Sequence, residues 1–308
     1  MIYTCTLNPS LDYFMEFDEP VQNGKYNRST LEFYEAGGKG INISSVLSNL
    51  DIPSRALGFL GGFTKDLYIE LLEQYKYLQP NFTYIDGNTR INVKMHDDND
   101  TTLNATGPFI TADNMKSMRD RVRNKIAEGD YLVLAGTSQE YLIDEVSEML
   151  KEAIGEGVRV VLDTHPTIIH NVIGSHPFLV KMTEWDLARY LGRDLHSDEE
   201  IIAGMKEVLK EGAKNVLFVS SDASRAILVY EGGVLAGNIM REGKPVNTVG
   251  AGDSVIAGFL MNFVRSSDYA DSFRLGISCG TATVYSKGLG TKEKIDVFYD
   301  SAEVQAVE

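Results

Sequence analysis

The sequence has few of the residues that mark secreted or membrane-bound proteins. Only two cysteines occur in 308 residues, Cys5 and Cys279, and each lies among apolar residues. This predicts two buried free thiols rather than a disulfide framework or a cysteine metal cluster, as is typical of a reducing compartment. No basic stretch followed by a long apolar run opens the sequence, and no run approaches ~18 apolar residues. We therefore expect a cytoplasmic protein with no membrane partner.

Positive charge is also scarce. The chain carries 29 lysine and arginine residues against 44 aspartate and glutamate residues, a formal net charge of −15 at pH 7. This balance opposes unspecific binding to nucleic acid, which requires a basic surface. A phosphate-bearing ligand would therefore have to be held by a local cluster of cations.

Long linkers, repeats and low-complexity tracts are absent, and short strand-like runs alternate with helical patterns. This alternation predicts a parallel sheet covered by helices. Helical patterns occupy about 64–78 and 139–155. The strand-like runs are RALGFL (55–60), YLVLAG (131–136), VRVVLD (158–163), PFLVKM (177–182) and NVLFVSS (215–221).

Two segments depart from this alternation. Residues 13–35 and 89–106 show strands of alternating polarity, such as RINVKMHD at 90–97, with no helix between them. The pattern is typical of a small, half-exposed sheet. We predict an α/β fold in which helices sandwich a mostly parallel sheet, forming a single domain over 1–308 that carries a small discontinuous β-sheet.

A glycine-rich segment near the C-terminus, NTVGAGDSVIAGF (247–259), places Asp253 just before an apolar run. Apolar residues at 256, 259, 260 and 263 fall on one helical face, which predicts a helix with Asp253 in its first turn. An acidic side chain there gains roughly 0.3–1 kcal/mol from the helix dipole. The alternative interpretation is a carboxylate aimed at a bound ligand.

A second glycine-rich segment, YEAGGKGINISS (34–45), predicts a helix that begins near Lys39. A lysine has the wrong charge for a helix N-terminus, because the dipole disfavours cations there. Either Lys39 is solvated or a nearby anion compensates it. By contrast, Gly232 and Gly233 lie between two strand-like runs and predict an ordinary hairpin turn.

Neither glycine-rich segment is one of the common nucleotide motifs. The phosphate loop G-x-x-x-x-G-K-[ST] fails because Lys39 is followed by glycine. The dinucleotide fingerprint G-x-G-x-x-G fails because Val255 stands where its third glycine would be. What remains is that glycines allow close backbone approach, and free amides at a helix start point toward an anion.

Four motifs resemble, in family order, those of the ribokinase-like sugar kinases of the phosphofructokinase B branch. A single G-A-G-D would be a weak signal, whereas four motifs in register over almost the whole chain are specific. Within that branch the segment 91–108 is most similar to the 1-phosphofructokinases, with the tagatose-6-phosphate kinases as near neighbours. The motifs are TLNPSLD (6–12), AGGKGIN (36–42), TRINVKM (89–95) and NTVGAGDS (247–254).

The resemblance implies that ATP donates its γ-phosphoryl group to a hydroxyl of a ketohexose phosphate, most simply fructose 1-phosphate. Asp253 would act as the base that takes the hydroxyl proton. The amides of Gly250, Ala251 and Gly252 would form an anion hole for the charge on the transferred group.

By the same resemblance, the residues of the N-terminal half would bind the sugar phosphate. A lysine on an exposed strand face is usually solvated, so Lys94 is expected either to assist at the phosphate or to face water. Asp12, Gly38 and Asn42 would bind sugar hydroxyls, and Lys39 and Arg90 would face the phosphate that the sugar already carries.

On the nucleotide side, the resemblance implies ATP and Mg²⁺ as cofactors. Relatives carry Asn-x-x-Glu where Thr183 and Asp186 stand here, and a loop S-x-G-x-x-G in which Asp222 and Arg225 replace the glycines. The second change removes close backbone approach and adds a charge pair. The nucleotide residues would be Lys181, Thr183, Ser220, Asp222, Arg225 and Gly252, and the metal ligand would be Asp186.

The resemblance further implies that the small sheet is a lid over the sugar and that two lids pair in a homodimer. Phe14, Phe17, Phe33 and Tyr34 would supply apolar surface for such a sheet. The departures on the nucleotide side keep open a hypothesis of another class, a sugar-phosphate-binding regulator with weakened catalysis.

Two histidines, His165 and His170 in DTHPTIIH, suggest a metal site at first sight. Pro166 breaks the helical spacing between them, and no cysteine or third histidine lies nearby in the sequence. We interpret both as loop histidines.

Overall fold

The computed structural model describes residues 1–97 and 101–307, so residues 98–100 of the predicted segment 89–106 lie outside it. In chain order, its strands are β1 (Ile2–Thr6), β2 (Ser10–Glu16), β3 (Leu31–Gly37), β4 (Ser54–Gly61), β5 (Leu78–Pro80), β6 (Thr83–Ile85), β7 (Arg90–His96), β8 (Thr101–Leu103), β9 (Tyr131–Ala135), β10 (Arg159–Asp163), β11 (Leu179–Met182), β12 (Asn215–Val219), β13 (Arg225–Tyr230), β14 (Gly233–Asn238) and β15 (Gln305–Val307). Its α-helices are α1 (Lys39–Asn49), α2 (Thr64–Leu72), α3 (Ala112–Lys125), α4 (Ile143–Gly155), α5 (Pro166–Val172), α6 (Glu184–Leu191), α7 (Asp198–Glu211), α8 (Ala251–Ser266), α9 (Tyr269–Val284) and α10 (Lys292–Ser301).

The main sheet is mostly parallel, as predicted. Its strand order is β15-β14-β13-β12-β11-β10-β9-β1-β4-β5, and β6 also pairs with β4. The five predicted strand-like runs form β4 and β9 to β12, which all run parallel. The hairpin predicted at Gly232 and Gly233 joins the antiparallel strands β13 and β14. An antiparallel edge strand, β15, was not predicted.

Helices cover both faces of this sheet, which confirms the predicted sandwich. On one face, α3 to α7 pack against the strands in a core that includes Met118, Leu150 and Met205. On the other face, α1, α8, α9 and α10 form a second core that includes Leu47, Phe259 and Ile277. The strands are buried on both sides, which explains why their sequences are continuous apolar runs.

A four-stranded sheet with the order β3-β2-β7-β8 stands apart from the main sheet. β2 pairs antiparallel with β3 and parallel with β7, so that Ser10 lies opposite both Gly37 and Arg90. The sheet thus joins two segments distant in the sequence, as predicted, although β2 begins a little earlier than residue 13. Its parallel pair brings the TLNPSLD and TRINVKM motifs side by side.

The sequence predicted two buried free thiols and no membrane-spanning segment. Cys5 and Cys279 are both free and buried, as predicted, and burial raises the pKa of each thiol. Within residues 1–97 and 101–307, no helix is both long and apolar enough to cross a membrane.

Candidate active site

The carboxyl ends of the parallel strands meet along one edge of the main sheet, and several of the predicted site residues lie there. β10 ends at Asp163, and β11 and β12 end one residue before Thr183 and Ser220. The start of α8 reaches the same edge, because Gly252 lies against the Lys181 side chain of β11. Ligands of open α/β sheets bind at this edge.

Gly38 and Gly250 shape the two helix starts that the sequence singled out. Gly250 precedes α8 with a φ of 80°, and Gly38 precedes α1 with a φ of 138°. A Cβ atom at Gly38 would also lie 2.7 Å from the Cγ2 atom of Thr6. Neither glycine provides a side-chain cap, so no capping side chain covers the amides at either helix start.

The start of α8 presents fewer open amides than the resemblance implies. The Ala251 amide donates to the Thr248 carbonyl at 3.3 Å, which leaves it less available as part of an anion hole. The amides of Gly252 and Asp253 lie in the first turn, where no intrahelical acceptor exists. The Lys181 ammonium group adds positive charge at the start of α8. It lies close to Gly252, since a Cβ atom built on that glycine would be 3.4 Å from its Nζ atom.

Asp253 lies in the first turn of α8, as predicted, and its side chain is buried at 5% exposure. The Asn42 side-chain amide of α1 donates to its Oδ2 atom at 2.8 Å. Burial and the negative charge of Asp163 raise the pKa of Asp253 to about 6, against the opposing effects of Lys39, Asn42 and Lys181. A carboxyl group in this state is ready to exchange a proton near neutral pH.

Lys39 and Lys181 share one carboxylate, that of Asp163. The Lys39 Nζ atom lies 3.1 Å from both carboxylate oxygens, and the Lys181 Nζ atom lies 3.4 Å from Oδ1. Burial alone would raise the pKa of Asp163, but Lys181 and Lys39 lower it below its ordinary value. Burial alone would lower the pKa of Lys39, but Asp163 and Asp253 raise it. The anion that compensates a lysine at a helix start is therefore present in the chain itself.

Asp163 is a site residue that the sequence analysis missed. Its side chain is only 2% exposed, it pairs with the lysine predicted on α1, and its charge raises the pKa of the base predicted on α8. A signal was available, because Asp163 ends the predicted strand VRVVLD and parallel strands bring their carboxyl ends to one edge.

On the small sheet, Asp12 is the centre of a buried polar cluster. Its Oδ1 atom accepts hydrogen bonds from the Ser10 hydroxyl at 2.7 Å and the Asn92 side-chain amide at 2.9 Å. Its Oδ2 atom lies 2.6 Å from the Lys94 Nζ atom. Lys94 is thus not solvated, and its ammonium group also lies 4.8 Å from the centre of the Phe14 ring.

Arg90 lies beside this cluster. Among the described residues, it donates hydrogen bonds to neutral oxygens and to no carboxylate. Its Nε atom donates to the Asn8 carbonyl at 3.2 Å, and Nη1 donates to the Ala105 carbonyl at 3.2 Å and to the Asn92 side chain at 3.4 Å. Burial lowers the pKa of Arg90, and the negative charge of Asp12 partly opposes this. A phosphate would bind this guanidinium group more strongly than these neutral oxygens do, because it carries negative charge.

Thr183 and Asp186 form a capping box at the start of α6. The Thr183 hydroxyl accepts from the Asp186 amide at 3.2 Å, and the Asp186 carboxylate accepts from the amide and the hydroxyl of Thr183 at 3.0 and 2.8 Å. One carboxylate oxygen of the predicted metal ligand is therefore already occupied. Within residues 1–97 and 101–307, no group of three or more His, Cys, Asp or Glu side chains could hold a metal ion alone.

The predicted nucleotide loop, residues 220–225, connects β12 to β13. The expected charge pair of Asp222 with Arg225 does not form. Arg225 pairs instead with Asp198 of α7, at 2.6 Å. Asp222 instead accepts a hydrogen bond from the Ser224 amide at 2.9 Å. Hydrogen bonds from Ser220 and Ser224 lower the pKa of Asp222, with only a small part from the Arg225 charge.

The two histidines have local structural roles, and the interpretation of both as loop histidines is wrong for His170, which lies within α5. The Nδ1 atom of His165 accepts a hydrogen bond from the Thr167 amide at 3.3 Å, which caps α5. His170 stacks on Tyr190, with ring centres 3.8 Å apart. His165 therefore has a structural explanation that its sequence context lacked.

Comparisons with known proteins identify the family of the chain. A family model described as pfkB family carbohydrate kinase matches residues 6–295. The chain is 37% identical over 305 residues to a 1-phosphofructokinase of Bacillus subtilis, covering 99% of each protein. It is 32% identical over 299 residues to a D-tagatose-1-phosphate kinase of Bacillus licheniformis, covering 96% of each.

Solved structures show the same fold. Phosphofructokinase-2 from Escherichia coli superposes with a TM-score of 0.91 at 22% identity, covering 97% of this chain and 98% of that one. Ribokinase from Arabidopsis thaliana superposes with a TM-score of 0.71 at 19% identity, with the same shares covered. The predicted ribokinase-like fold is confirmed, and the chain belongs to the pfkB family of carbohydrate kinases.

Proposed function

We propose that this protein transfers the γ-phosphoryl group of ATP to the 6-hydroxyl group of fructose 1-phosphate. The observation that carries the proposal is Asp253, a buried carboxylate at an uncapped helix start whose pKa is raised to about 6. A group that titrates just below neutral pH suits general base catalysis. The names of two relatives, a 1-phosphofructokinase and a D-tagatose-1-phosphate kinase, support a ketohexose 1-phosphate as the substrate.

In the proposed reaction, the 6-hydroxyl oxygen attacks the γ-phosphorus atom and the bond to the bridging oxygen of ADP breaks. The hydroxyl proton passes to the carboxylate of Asp253. The open amides of Gly252 and Asp253, together with the ammonium groups of Lys39 and Lys181, face the charge that spreads over the transferred group. Asn42 keeps the carboxylate oriented through its 2.8 Å hydrogen bond.

At the opposite end of the sugar, we assign Arg90 to the phosphate on carbon 1. Lys94 is paired with Asp12 and Lys39 is paired with Asp163, whereas the described partners of Arg90 are neutral oxygens. Its charge therefore gains the most from a dianionic ligand. Gly38 and Asp12 would bind hydroxyl groups between the two ends, with the ammonium group of Lys94 beside the Asp12 carboxylate.

We place the nucleotide beside the loop at Ser220, Asp222 and Arg225, with its phosphates toward Lys181 and Gly252. Mg²⁺ would be held largely by the phosphates and by water, which is how this ion usually binds in kinases. The site fits that arrangement, since Asp186 is a single carboxylate with one oxygen in the cap and Thr183 contributes only its hydroxyl. Bound Mg²⁺ would neutralise phosphate charge during transfer.

Tagatose 1-phosphate is the second candidate substrate, because one relative carries it in its name. It differs from fructose 1-phosphate only in the orientation of one hydroxyl group, and tagatose 6-phosphate differs also in the position of the phosphate. The regulator hypothesis is disfavoured, because a binder would not need a buried base with two lysines beside it.

The test is a coupled assay of ADP release with ATP and Mg²⁺ on fructose 1-phosphate, fructose 6-phosphate, tagatose 1-phosphate and tagatose 6-phosphate. We expect kcat/KM for fructose 1-phosphate to exceed that of each 6-phosphate by at least ~10²-fold, since a misplaced phosphate leaves Arg90 without its partner. Arg90→Ala should raise KM for the sugar phosphate more than KM for ATP. Binding without turnover would favour the regulator, and a preference for a 6-phosphate would refute the substrate assignment.

We also propose that two small sheets pair in a homodimer. The outer strand β3 exposes Leu31, Phe33 and Tyr34, and the rings of the last two stack on Phe14 and Tyr13 of β2. An exposed apolar strand of this kind is usually covered by a partner. Leu31→Asp should convert the dimer to a monomer in sedimentation experiments. Val297→Asp, at an exposed position on α10, is the control that should not.

A further inference from the structure

The nucleotide loop is stabilised by its own side chains. The Ser220 hydroxyl accepts hydrogen bonds from the amides of Ser224 and Arg225 at 3.0 and 3.1 Å. The Ser220 amide donates to the Arg225 carbonyl at 3.0 Å, and the Ala223 amide donates to the Ser220 carbonyl at 2.8 Å. The segment is therefore a closed turn, although residues 220–225 contain no glycine.

One residue of this turn adopts a backbone conformation that favours glycine. Ala223 has a φ of 55° and is buried at 4% exposure. A left-handed conformation costs a non-glycine residue roughly 1–2 kcal/mol. Contacts elsewhere must hold the turn in this shape.

The strongest such contact comes from Glu184, the first residue of α6. Its Oε2 atom accepts a hydrogen bond from the Ser221 amide at 2.8 Å and another from the Ser221 hydroxyl at 2.6 Å. Bonds to an ionised carboxylate are roughly twice as strong as bonds between neutral groups. The carboxylate is also favourably placed with respect to the dipole of α6. Glu184 follows Lys181, at the edge of the sheet, by three residues.

A second contact reaches the other end of the turn. The Arg225 guanidinium group pairs with Asp198, the first residue of α7, at 2.6 Å. Both side chains are substantially exposed, at 35% and 53%. Exposed ion pairs contribute little, so this contact is the weaker of the two.

We propose that Glu184 is a positioning residue for ATP, because its carboxylate fixes Ser221 and so holds the nucleotide loop ready for the nucleotide. This inference rests on the proposed function, in which residues 220–225 contact ATP. A loop rich in glycine would allow the backbone to approach the nucleotide closely. Here the carboxylate of Glu184 on the neighbouring helix would instead keep a bulkier loop in one conformation. The loop then loses less conformational entropy when ATP binds.

The experiment compares Glu184→Ala, Glu184→Gln and Ser221→Ala in the full-length protein by steady-state kinetics. Glu184→Ala should raise KM for ATP about tenfold and leave kcat and KM for fructose 1-phosphate within about twofold. Glu184→Gln keeps an acceptor oxygen, so it should restore most of the ATP affinity. The double variant Glu184→Ala with Ser221→Ala should be no worse than Glu184→Ala alone, since Glu184→Ala already removes the hydroxyl bond that Ser221→Ala removes.

The matched control is Glu207→Ala, which breaks an exposed ion pair between Glu207 of α7 and Arg193. It should leave KM for ATP unchanged, even if it lowers the melting temperature slightly. Equal effects of Glu184→Ala on both substrates, or no effect on either, would overturn the proposal. If Glu184→Ala and Glu184→Gln have equal effects and both raise the Mg²⁺ concentration that the enzyme requires, Glu184 is a metal ligand and the proposal is overturned. Wild-type protein that turns over no ketohexose phosphate would refute the proposed function instead.

Discussion

The helices α6 and α8 both begin at the carboxyl edge of the main sheet, and both have aspartate as their third residue. In α6 the carboxylate of Asp186 turns back and binds the amide and hydroxyl of Thr183. In α8 the residue before the helix is Gly250, which has no side chain to cap with, and Asp253 instead accepts a hydrogen bond from Asn42 of another helix. The residue before the helix therefore decides whether the aspartate stabilises its own helix or faces the site.

The two starts also differ in what surrounds them. Asp253 lies near two lysines and a second buried carboxylate, and burial raises its pKa to about 6. The capping box of Thr183 and Asp186 is a common way to satisfy the open amides of a helix start. The comparison shows that α8 gives up a stabilising cap and buries a charged group, as expected where stability is exchanged for catalysis.

Asp253→Asn is the substitution with the largest expected effect. It removes the proton acceptor but keeps the shape of the side chain, so kcat should fall by at least ~10²-fold while KM for the sugar phosphate changes little. Steady-state and single-turnover assays measure this. The variant should not be less stable above pH 6, because a carboxyl group whose pKa is raised by burial destabilises the folded state once it is charged. Retention of most turnover would remove Asp253 from the mechanism.

Asp186→Asn is the matched change at the same position of α6. An asparagine can still cap the helix, so the free energy of unfolding should change by less than about 1 kcal/mol. If Asp186 also faces Mg²⁺-ATP, the Mg²⁺ concentration that gives half-maximal rate should rise several-fold, because Mg²⁺ prefers charged oxygen ligands. A Mg²⁺ titration at fixed ATP checks this. A loss of kcat as large as that of Asp253→Asn would contradict the contrast between the two helices.

The pH dependence of kcat/KM tests whether the charges around Asp253 set its pKa. Because the base works only when deprotonated, kcat/KM should fall about tenfold per pH unit below about 6. Lys39 lowers the pKa of Asp253 and Asp163 raises it, so Lys39→Met should move the acid limb to higher pH and Asp163→Asn should move it to lower pH.

Lys292→Met is the control for this profile, because Lys292 pairs with Asp51 at an exposed position away from the site. Its acid limb should coincide with that of the wild type. Shifts of the same sign in Lys39→Met and Asp163→Asn would show that another group sets the acid limb.

Thr183→Ala has the smallest expected effect. Loss of the cap should lower the free energy of unfolding by ~1 kcal/mol, measured by urea denaturation. Thr111→Ala provides the control, because Thr111 and Asn114 form the same kind of capping box at the start of α3. Both variants should lose similar stability, but only Thr183→Ala should change KM for ATP. A stability loss at Thr111 alone would mean that the cap of α6 is not needed.

Local patterns predicted much of this fold. The apolar runs of β9 to β12 are buried on both faces, so their sequences alone distinguish them from surface segments. Lys39 and Asp253 were identified because each lies beside glycines at a helix start. The edge strand β15 was missed, because its three residues have no pattern and its pairing with β14 joins distant parts of the chain.

The site was predicted less completely than the fold. Asp163 ends a predicted strand, but its ion pairs with the lysines of α1 and β11, 124 and 18 residues away, form only in the folded chain. The pairing of Arg225 with Asp198 rather than Asp222 depends on where α7 packs. Likewise, the sequence left open whether Lys94 faces the site or water, and the parallel pairing of β2 with β7 brings it to Asp12.

By itself, the sequence determined the order of strands and helices, the glycine-led starts of α1 and α8, and the family motifs, because hydrophobic periodicity and backbone conformation are properties of short segments. The tertiary structure alone decided which charges meet. Whether Lys39 has an anion, whether Asp186 caps its helix, and whether the pKa of Asp253 rises to about 6 all depend on burial and on groups from other elements. Electrostatic interactions act through space, so their outcome appears only when the chain has folded.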